Sequence, residues 1–308
     1  MKPVEENEPA PREGKMGLVV EIVLPLGLAF IMFSLGLGLR ASDFLRVIRE
    51  PYAFFIGAVN QVLLLPVVTF LMVLAFGIGP ELAVGFMILA FCPGGVTSNI
   101  LARLARGDVA LSVSLTAVIS LASMITVPPL LALSIGYFSG EAAGPVDIGG
   151  IAVQLFLLTT VPILIGLTLH HLAPDLTGRI EPVVAQVANL LFALIVVVAL
   201  AANWDVFVAN LPVLAPALIC LIVVLLALGY GVARLAGLPD GQVKTISVET
   251  GIQNSTLGIT VAAMLSGYEA GFSPYALPAA VYGILMYVVS APVILWFRRL
   301  GPAEVSAA

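Results

Sequence analysis

Nine long apolar runs, joined by short connections rich in Gly and Pro, make up most of this 308-residue chain. A helix needs about 20 apolar residues to cross the hydrocarbon core of a bilayer. Because lipid offers no partners to free backbone groups, each run is expected to be helical. The sequence therefore predicts an all-α polytopic membrane protein with nine transmembrane helices. The runs are Leu18–Leu39, Tyr52–Phe76, Leu82–Leu104, Val109–Ile135, Ile148–Leu169, Val183–Ala202, Leu211–Leu235, Thr245–Leu265 and Tyr275–Phe297.

The few charged residues indicate which helix ends face the cytoplasm. They make up 10% of the chain, compared with about 25% in soluble domains. Ten of the basic residues lie in alternate connections. By the positive-inside rule, the N-terminus is then outside and the C-terminus cytoplasmic. We expect a disordered tail over residues 1–16 and a cytoplasmic tail over residues 299–308. The ten basic residues are Arg40, Arg46, Arg49, Arg103, Arg106, Arg179, Arg234, Lys244, Arg298 and Arg299.

Two polar stretches interrupt two of the apolar runs. The first, CPGGVTSN over Cys92–Asn99, lies in the third run, and the second, VETGIQNS over Val248–Ser255, lies in the eighth. These two runs cross the membrane in opposite directions in the predicted topology. A pair of interrupted helices in the two halves of a chain is typical of transporters built from inverted repeats. We therefore predict an inverted repeat of four plus five helices, with the third and eighth helices broken.

The first stretch has the composition of a helix break followed by an anion-binding helix end. Pro93 removes a backbone donor, and Gly94 and Gly95 lower the helix propensity further. Thr97–Asn99 then open the resumed half-helix. A helix N-terminus carries partial positive charge and free N–H groups, which suit an anion. The alternative is a simple proline kink whose backbone is repaired by Ser and Thr.

The second stretch places a carboxylate inside an apolar helix. A charge such as that of Glu249 costs about 2.5–3.5 kcal/mol at the centre of a membrane helix, and residues of this kind are usually functional. Hard oxygen ligands suit hard cations rather than zinc or copper, so a bound cation is the simplest explanation. A protonated Glu249 that carries protons, or one paired with Arg, remains an alternative. The neighbouring oxygen-bearing side chains are Gln253, Asn254, Ser255 and Thr256.

Polar residues in two other runs are candidates for the same site. Ser112 and Thr116 are four residues apart, so they share one face of the fourth helix. Asn60 and Gln61 lie in the second run. Amide side chains within membrane helices usually face other helices rather than lipid, so we expect both to point into the bundle.

Three motifs together resemble the bile acid:sodium symporter family. They are CPGGVTSN, ARGDVALSVSLT over residues 105–116, and ETGIQNSTLG over residues 249–258. The resemblance implies a core domain, residues 51–136 and 211–298, in which the two broken helices cross. It also implies a panel domain, residues 17–39 and 148–202. Bacterial relatives often have ten helices, and this chain is expected to lack the first of them.

The resemblance further implies two sodium sites behind the crossing and an organic anion in the cleft between core and panel. Val96 departs from several bacterial relatives, which carry Thr there, and this changes the expected contact with the substrate. The first sodium site would use Ser98, Asn99, Ser112, Thr116 and Glu249. The second would use the side chains of Gln61, Glu249 and Gln253 with backbone oxygens of Thr250 and Ile252. The anion would lie near Thr97, Asn99 and Asn254.

The expected function is sodium-coupled symport of an organic anion, similar to a bile acid or a small carboxylate such as pantoate, by alternating access. The expected location is the cell (inner) membrane. No nucleic-acid partner or obligatory protein partner is indicated. The alternatives are a proton-coupled or metalloid-anion exporter of similar fold and a non-transporting, sodium-dependent binding protein. An intramembrane enzyme is disfavoured because both His residues, His170 and His171, lie at a helix end.

Overall fold

The computed structural model describes residues 22–40, 47–140, 147–266 and 273–300. The N-terminal tail predicted over residues 1–16 and residues 301–308 of the C-terminal tail lie outside this part of the chain. So do Arg46 and the first residues of the run that begins at Leu18.

All regular secondary structure in the described residues is helical. We number the helices by the predicted runs and divide the two broken ones into halves. The connections between them are short, and α6 is separated from α7 by Asn203 alone. The helices are α1 Leu24–Gly38, α2 Pro51–Ala75, α3a Pro80–Phe91, α3b Val96–Leu104, α4 Val109–Phe138, α5 Ile148–Leu172, α6 Pro174–Ala202, α7 Trp204–Leu235, α8a Asp240–Gly251, α8b Ser255–Ser266 and α9 Leu277–Arg299.

This arrangement confirms a polytopic, all-helical membrane protein. Within the described residues, six helices are long and apolar enough to cross a bilayer, and α3a with α3b, bent by 66°, makes a seventh. The described part of α1 has 15 residues. Each half of α8 has 12 residues, too few to span a bilayer alone. A total of nine spans therefore stays a prediction.

Three helices begin five or more residues earlier than their apolar runs do. The sixth, seventh and eighth runs begin at Val183, Leu211 and Thr245. The helices begin at Pro174 for α6, Trp204 for α7 and Asp240 for α8a. Arg179 and Lys244 are consequently helical residues and not parts of loops, which corrects their expected places. Hydropathy reports where side chains meet lipid, whereas a helix can continue into water because its backbone bonds stay satisfied. Pro at the first turn also favours a start at Pro174.

The N-terminal helix α1 packs against α5 and α6. Gly36 of α1 and Gly166 of α5 bring two backbones together. A Cβ atom at Gly36 would lie 2.3 Å from the carbonyl oxygen of Ile163, and one at Gly166 would lie 2.5 Å from that of Phe33. Small residues allow such close approach between membrane helices, where packing replaces the hydrophobic effect. These three helices thus form one closely packed group.

Candidate functional site

The two helix breaks lie against each other. The backbone N–H of Asn254, in the break of α8, donates to the carbonyl oxygen of Pro93, in the break of α3, at 2.9 Å. The side-chain Oδ1 of Asn254 accepts from the N–H of Leu257 at 3.0 Å, which is the geometry of a helix N-cap. Backbone groups that the breaks release from their own helices are therefore partly satisfied at the crossing.

Glycine at position 94 gives the carboxylate of Glu249 access to the crossing. A Cβ atom at Gly94 would lie 2.6 Å from Oε2 of Glu249 and 2.8 Å from Oγ of Ser98. Both distances are shorter than a van der Waals contact, so a larger residue would displace one of these groups. The Pro-Gly-Gly sequence thus both ends α3a and leaves room for the carboxylate.

The carboxylate of Glu249 is fully buried, with 0% of the residue exposed. Ser112 Oγ lies 2.5 Å from Oε1. Thr116 Oγ1 donates to Oε2 at 3.2 Å, and Gln61 Nε2 donates to the same oxygen at 3.1 Å. These donors are neutral, so they stabilise the carboxylate by hydrogen bonding and leave its charge uncompensated.

Residues of the predicted first sodium site form one cluster of oxygen atoms, in which few O–H groups are available to donate hydrogen bonds. Ser112 Oγ also lies 2.8 Å from Oδ1 of Asn99, and Thr116 Oγ1 lies 3.3 Å from that atom. Ser98 Oγ is 3.4 Å from Thr116 Oγ1 and donates to the carbonyl of Gly95 at 2.8 Å. A hydroxyl has one proton to donate, so Ser112 and Thr116 can each donate to Asn99 or to the carboxylate, but not to both. A cation would fill this deficit.

In the predicted second site, the side-chain oxygens of two glutamines accept no hydrogen bond from the described residues. Gln61 Nε2 and Gln253 Nε2 both approach the backbone oxygen of Glu249, at 3.3 Å and 3.4 Å, and Gln253 Nε2 also donates to the carbonyl of Thr250 at 2.9 Å. Within the described structure, Oε1 of each glutamine is buried and has no hydrogen-bond partner. An unsatisfied buried acceptor costs about 1–3 kcal/mol. Ile252 is buried beside them, in the break.

A π-helical turn in α2 presents Gln61. Residues Asn60–Leu64 form this turn, and the N–H of Leu65 bonds to the carbonyl of Asn60. Asn60 and Gln61 are both buried, as the sequence predicts. The turn itself was not predicted. The sequence signal that could have indicated this turn is Pro66, because proline lacks the N–H group that a regular α-helix would use here. Such π-helical turns are frequent at functional sites.

A narrow cleft lies beside the crossing, between α1 and α6 on one side and α3b, α8b and α9 on the other. Its volume is about 20 Å³, room for about one water molecule. Thr97 and Asn254 line it, as predicted for the substrate contact, whereas Asn99 directs its Oδ1 to the hydroxyls of α4. The lining residues are Ile31, Gly95, Val96, Thr97, Ala188, Asn189, Phe192, Gln253, Asn254, Ser255, Thr256 and Met286.

Asn189 is a candidate functional residue that the sequence does not indicate. It lies in the cleft, opposite the start of α8b. A single amide in a long apolar helix gives no sequence signal that separates packing from ligand binding. Its position beside Phe192 on α6 becomes informative only when the cleft is seen.

Comparisons with known proteins agree with the motifs. The profile of the sodium bile acid symporter family matches residues 25–210. A probable chloroplastic sodium/metabolite cotransporter of Oryza sativa is 30% identical over 91% of this chain, which spans 65% of that relative's length. The ileal sodium/bile acid cotransporter of Oryctolagus cuniculus is 33% identical over 84% of this chain and 72% of its own.

A bacterial relative extends the comparison. An uncharacterized sodium-dependent transporter of Bacillus subtilis is 31% identical over 83% of this chain and 77% of its own. The family and these relatives are transporters, which agrees with the expectation that the chain is not an enzyme. The profile match and the identities confirm the resemblance seen in the motifs, and the chain belongs to the sodium bile acid symporter family.

Proposed function

We propose that this protein is a secondary active transporter that couples the inward flow of Na⁺ to the uptake of an organic anion. The observation that carries the proposal is the proton-poor group of oxygen atoms around Glu249. Buried carboxylate, amide and hydroxyl oxygens converge there with fewer protons than acceptors. Hard oxygen ligands of this kind suit a hard cation. Membership of the family supports sodium as that cation.

Two ions would share the carboxylate of Glu249. The first would be held by Ser98, Asn99, Ser112 and Thr116, and the second by Gln61 and Gln253 with backbone oxygens of Thr250 and Ile252. Two Na⁺ ions and one ionised carboxylate leave one net positive charge. A monovalent anion in the cleft would balance it, so binding of sodium and binding of substrate would strengthen each other reciprocally.

The organic anion would bind in the cleft, near Thr97, Asn99 and Asn254. The cleft's volume, about 20 Å³, is too small for an organic molecule. Substrate binding therefore requires its two sides to separate. We assign α1, α5 and α6 to a panel domain and the other helices to a core domain, and alternating access would be a rocking of one against the other. The N-terminus would lie outside and the C-terminus in the cytoplasm of the cell membrane.

Uptake into proteoliposomes tests the proposal. The purified chain is reconstituted, and uptake of labelled taurocholate and pantoate is measured with an inward Na⁺ gradient or with K⁺ in its place. Taurocholate represents the bile acids named for the rabbit relative, and pantoate represents small carboxylates. We expect uptake of at least one anion with Na⁺ and only background with K⁺. Equal uptake in both salts would rule out sodium coupling.

The buried carboxylate also favours a second candidate, proton-coupled transport. Glu249 could exchange a proton instead of sharing Na⁺. Uptake or export that follows a pH gradient and ignores Na⁺ would identify this mechanism. Sodium-dependent binding of an anion without flux into the vesicles would instead identify a binding protein.

A further inference from the structure

The break in α8 frees backbone carbonyls that need partners from elsewhere. The last carbonyls of a helix have no donor within the helix. At the end of α8a, the carbonyls of Glu249 and Thr250 accept from the two glutamine amides. The carbonyl of Gly251 accepts from the hydroxyl of Tyr282 on α9 at 2.7 Å. Tyr282 is fully buried, with 0% exposed.

The conformation of Ile252 links this hydrogen bond to the predicted second sodium site. Its backbone is extended, with φ −124° and ψ 114°. The angles of a residue set the relative orientation of the carbonyl before it and its own, and in extended backbone the two point to opposite sides. A hydrogen bond that holds the Gly251 carbonyl toward α9 therefore turns the Ile252 carbonyl the other way, away from Tyr282.

Close packing on the other side of the break restricts any compensating shift. A Cβ atom at Gly251 would lie 2.6 Å from Leu226 of α7, and one at Gly229 would lie 2.8 Å from Oγ1 of Thr250. The break thus fits tightly against α7, and rotation of its peptide groups is the freedom that remains. The hydroxyl of Tyr282 removes that freedom at Gly251.

We propose that Tyr282 is a positioning residue for the second sodium site. By holding the Gly251 carbonyl away from the ion, it presents the Ile252 carbonyl to the ion. Tyr282 itself does not contact sodium. The inference rests on the proposed sodium-coupled transport, and it adds a residue of α9 to a site otherwise built from α2 and α8.

The test is Tyr282→Phe, which removes one oxygen atom and keeps the ring. Purified protein in detergent is titrated with Na⁺ at constant ionic strength, with choline as the replacing cation, and thermal stability is recorded. Loss of one buried hydrogen bond predicts a half-maximal sodium concentration about threefold to tenfold higher than in the wild type. In uptake assays, the KM for the anion at saturating Na⁺ should stay unchanged. Tyr137→Phe, on the exposed surface of α4, is the matched control.

The half-maximal sodium concentration is termed the sodium midpoint. A midpoint in Tyr282→Phe equal to that of the wild type would overturn the inference. Should that variant fail to fold, replacement of Tyr282 by p-fluorophenylalanine fills the space of the hydroxyl but has no proton to donate. Its midpoint should lie above that of the wild type, and an identical midpoint would equally overturn the inference. A wild-type protein that shows no response to sodium would refute the proposed function, and the role of Tyr282 with it.

Discussion

Asn254 donates its backbone N–H to the carbonyl oxygen of Pro93 at 2.9 Å, so the break in α8 is bonded directly to the break in α3. The same residue caps α8b through Oδ1, which leaves its amide N–H groups to face Gly95 and the cleft. The first residues of α3b and α8b both line that cleft. Two helix N-termini therefore meet where an anion would bind, beside the oxygen atoms that would hold the cations.

Glu249→Gln should abolish the response to sodium. Gln has nearly the same size as Glu but carries no charge, so the cluster loses the negative charge that the two proposed ions would share. We expect no stabilisation by Na⁺ in thermal unfolding, and anion uptake at background level. Glu81→Gln, at the exposed N-terminus of α3a, is the control and should behave as the wild type. Sodium-dependent uptake by Glu249→Gln would refute a role for its charge.

Gly94→Ala should weaken sodium binding by displacing the carboxylate. The new methyl group would lie 2.6 Å from Oε2 of Glu249, closer than contact allows, so the carboxylate must move from Thr116 and Gln61. We expect a sodium midpoint raised by about tenfold or more, equivalent to at least 1.4 kcal/mol. Gly79→Ala, where a Cβ atom has no neighbour within 4 Å, should leave the midpoint unchanged. Equal midpoints in the two variants would show that the close contact has no consequence.

Gln61→Leu should remove one sodium site and spare the other. The change deletes a proposed oxygen ligand of the second site, while Ser98, Ser112 and Thr116 would still hold the first ion. Uptake as a function of sodium concentration should rise with a Hill coefficient above one in the wild type and near one in the variant. Thr69→Val, on the same helix and bonded to its own backbone at Leu65, serves as the control. An unchanged Hill coefficient in Gln61→Leu would argue against a second ion there.

Asn189→Ala should affect the substrate and not the ions. Asn189 lines the cleft from α6 and lies apart from the oxygen cluster on α4 and α8a. Loss of one hydrogen bond to the anion predicts a KM about threefold to tenfold higher. The sodium midpoint, measured by thermal unfolding without substrate, should not change. Asn210→Ala, whose amide bonds to its own helix at Val206, is the matched control, and a KM rise common to both variants would exclude a specific contact.

The sequence could predict the polar cluster because each of its members is out of place in an apolar helix. Glu249 and Gln61 stand out individually, and the resemblance to the family implies that they share one site. Tyr282 and Asn189 could not be found in this way. A Tyr or Asn within a membrane helix is equally compatible with packing, and its partner, such as the Gly251 carbonyl, is invisible in the sequence because every residue has one. The predicted start of α6 was wrong for a related reason. Hydropathy locates the residues that contact lipid, and α6 extends beyond them.

The close approach of Gly36 and Gly166 sets an order for the assembly of the chain in the bilayer. The surface of α1 around Gly36 fits the backbone of α5 at Ile163, but three intervening helices are synthesised first. Polypeptides grow at about 5–20 residues per second, so α1 exists for on the order of ten seconds before its partner does. During that interval its small-residue surface must be covered by lipid or by the insertion machinery. Biogenesis of this protein therefore includes a stage in which α1 is in the membrane before its packing partner α5 has been synthesised.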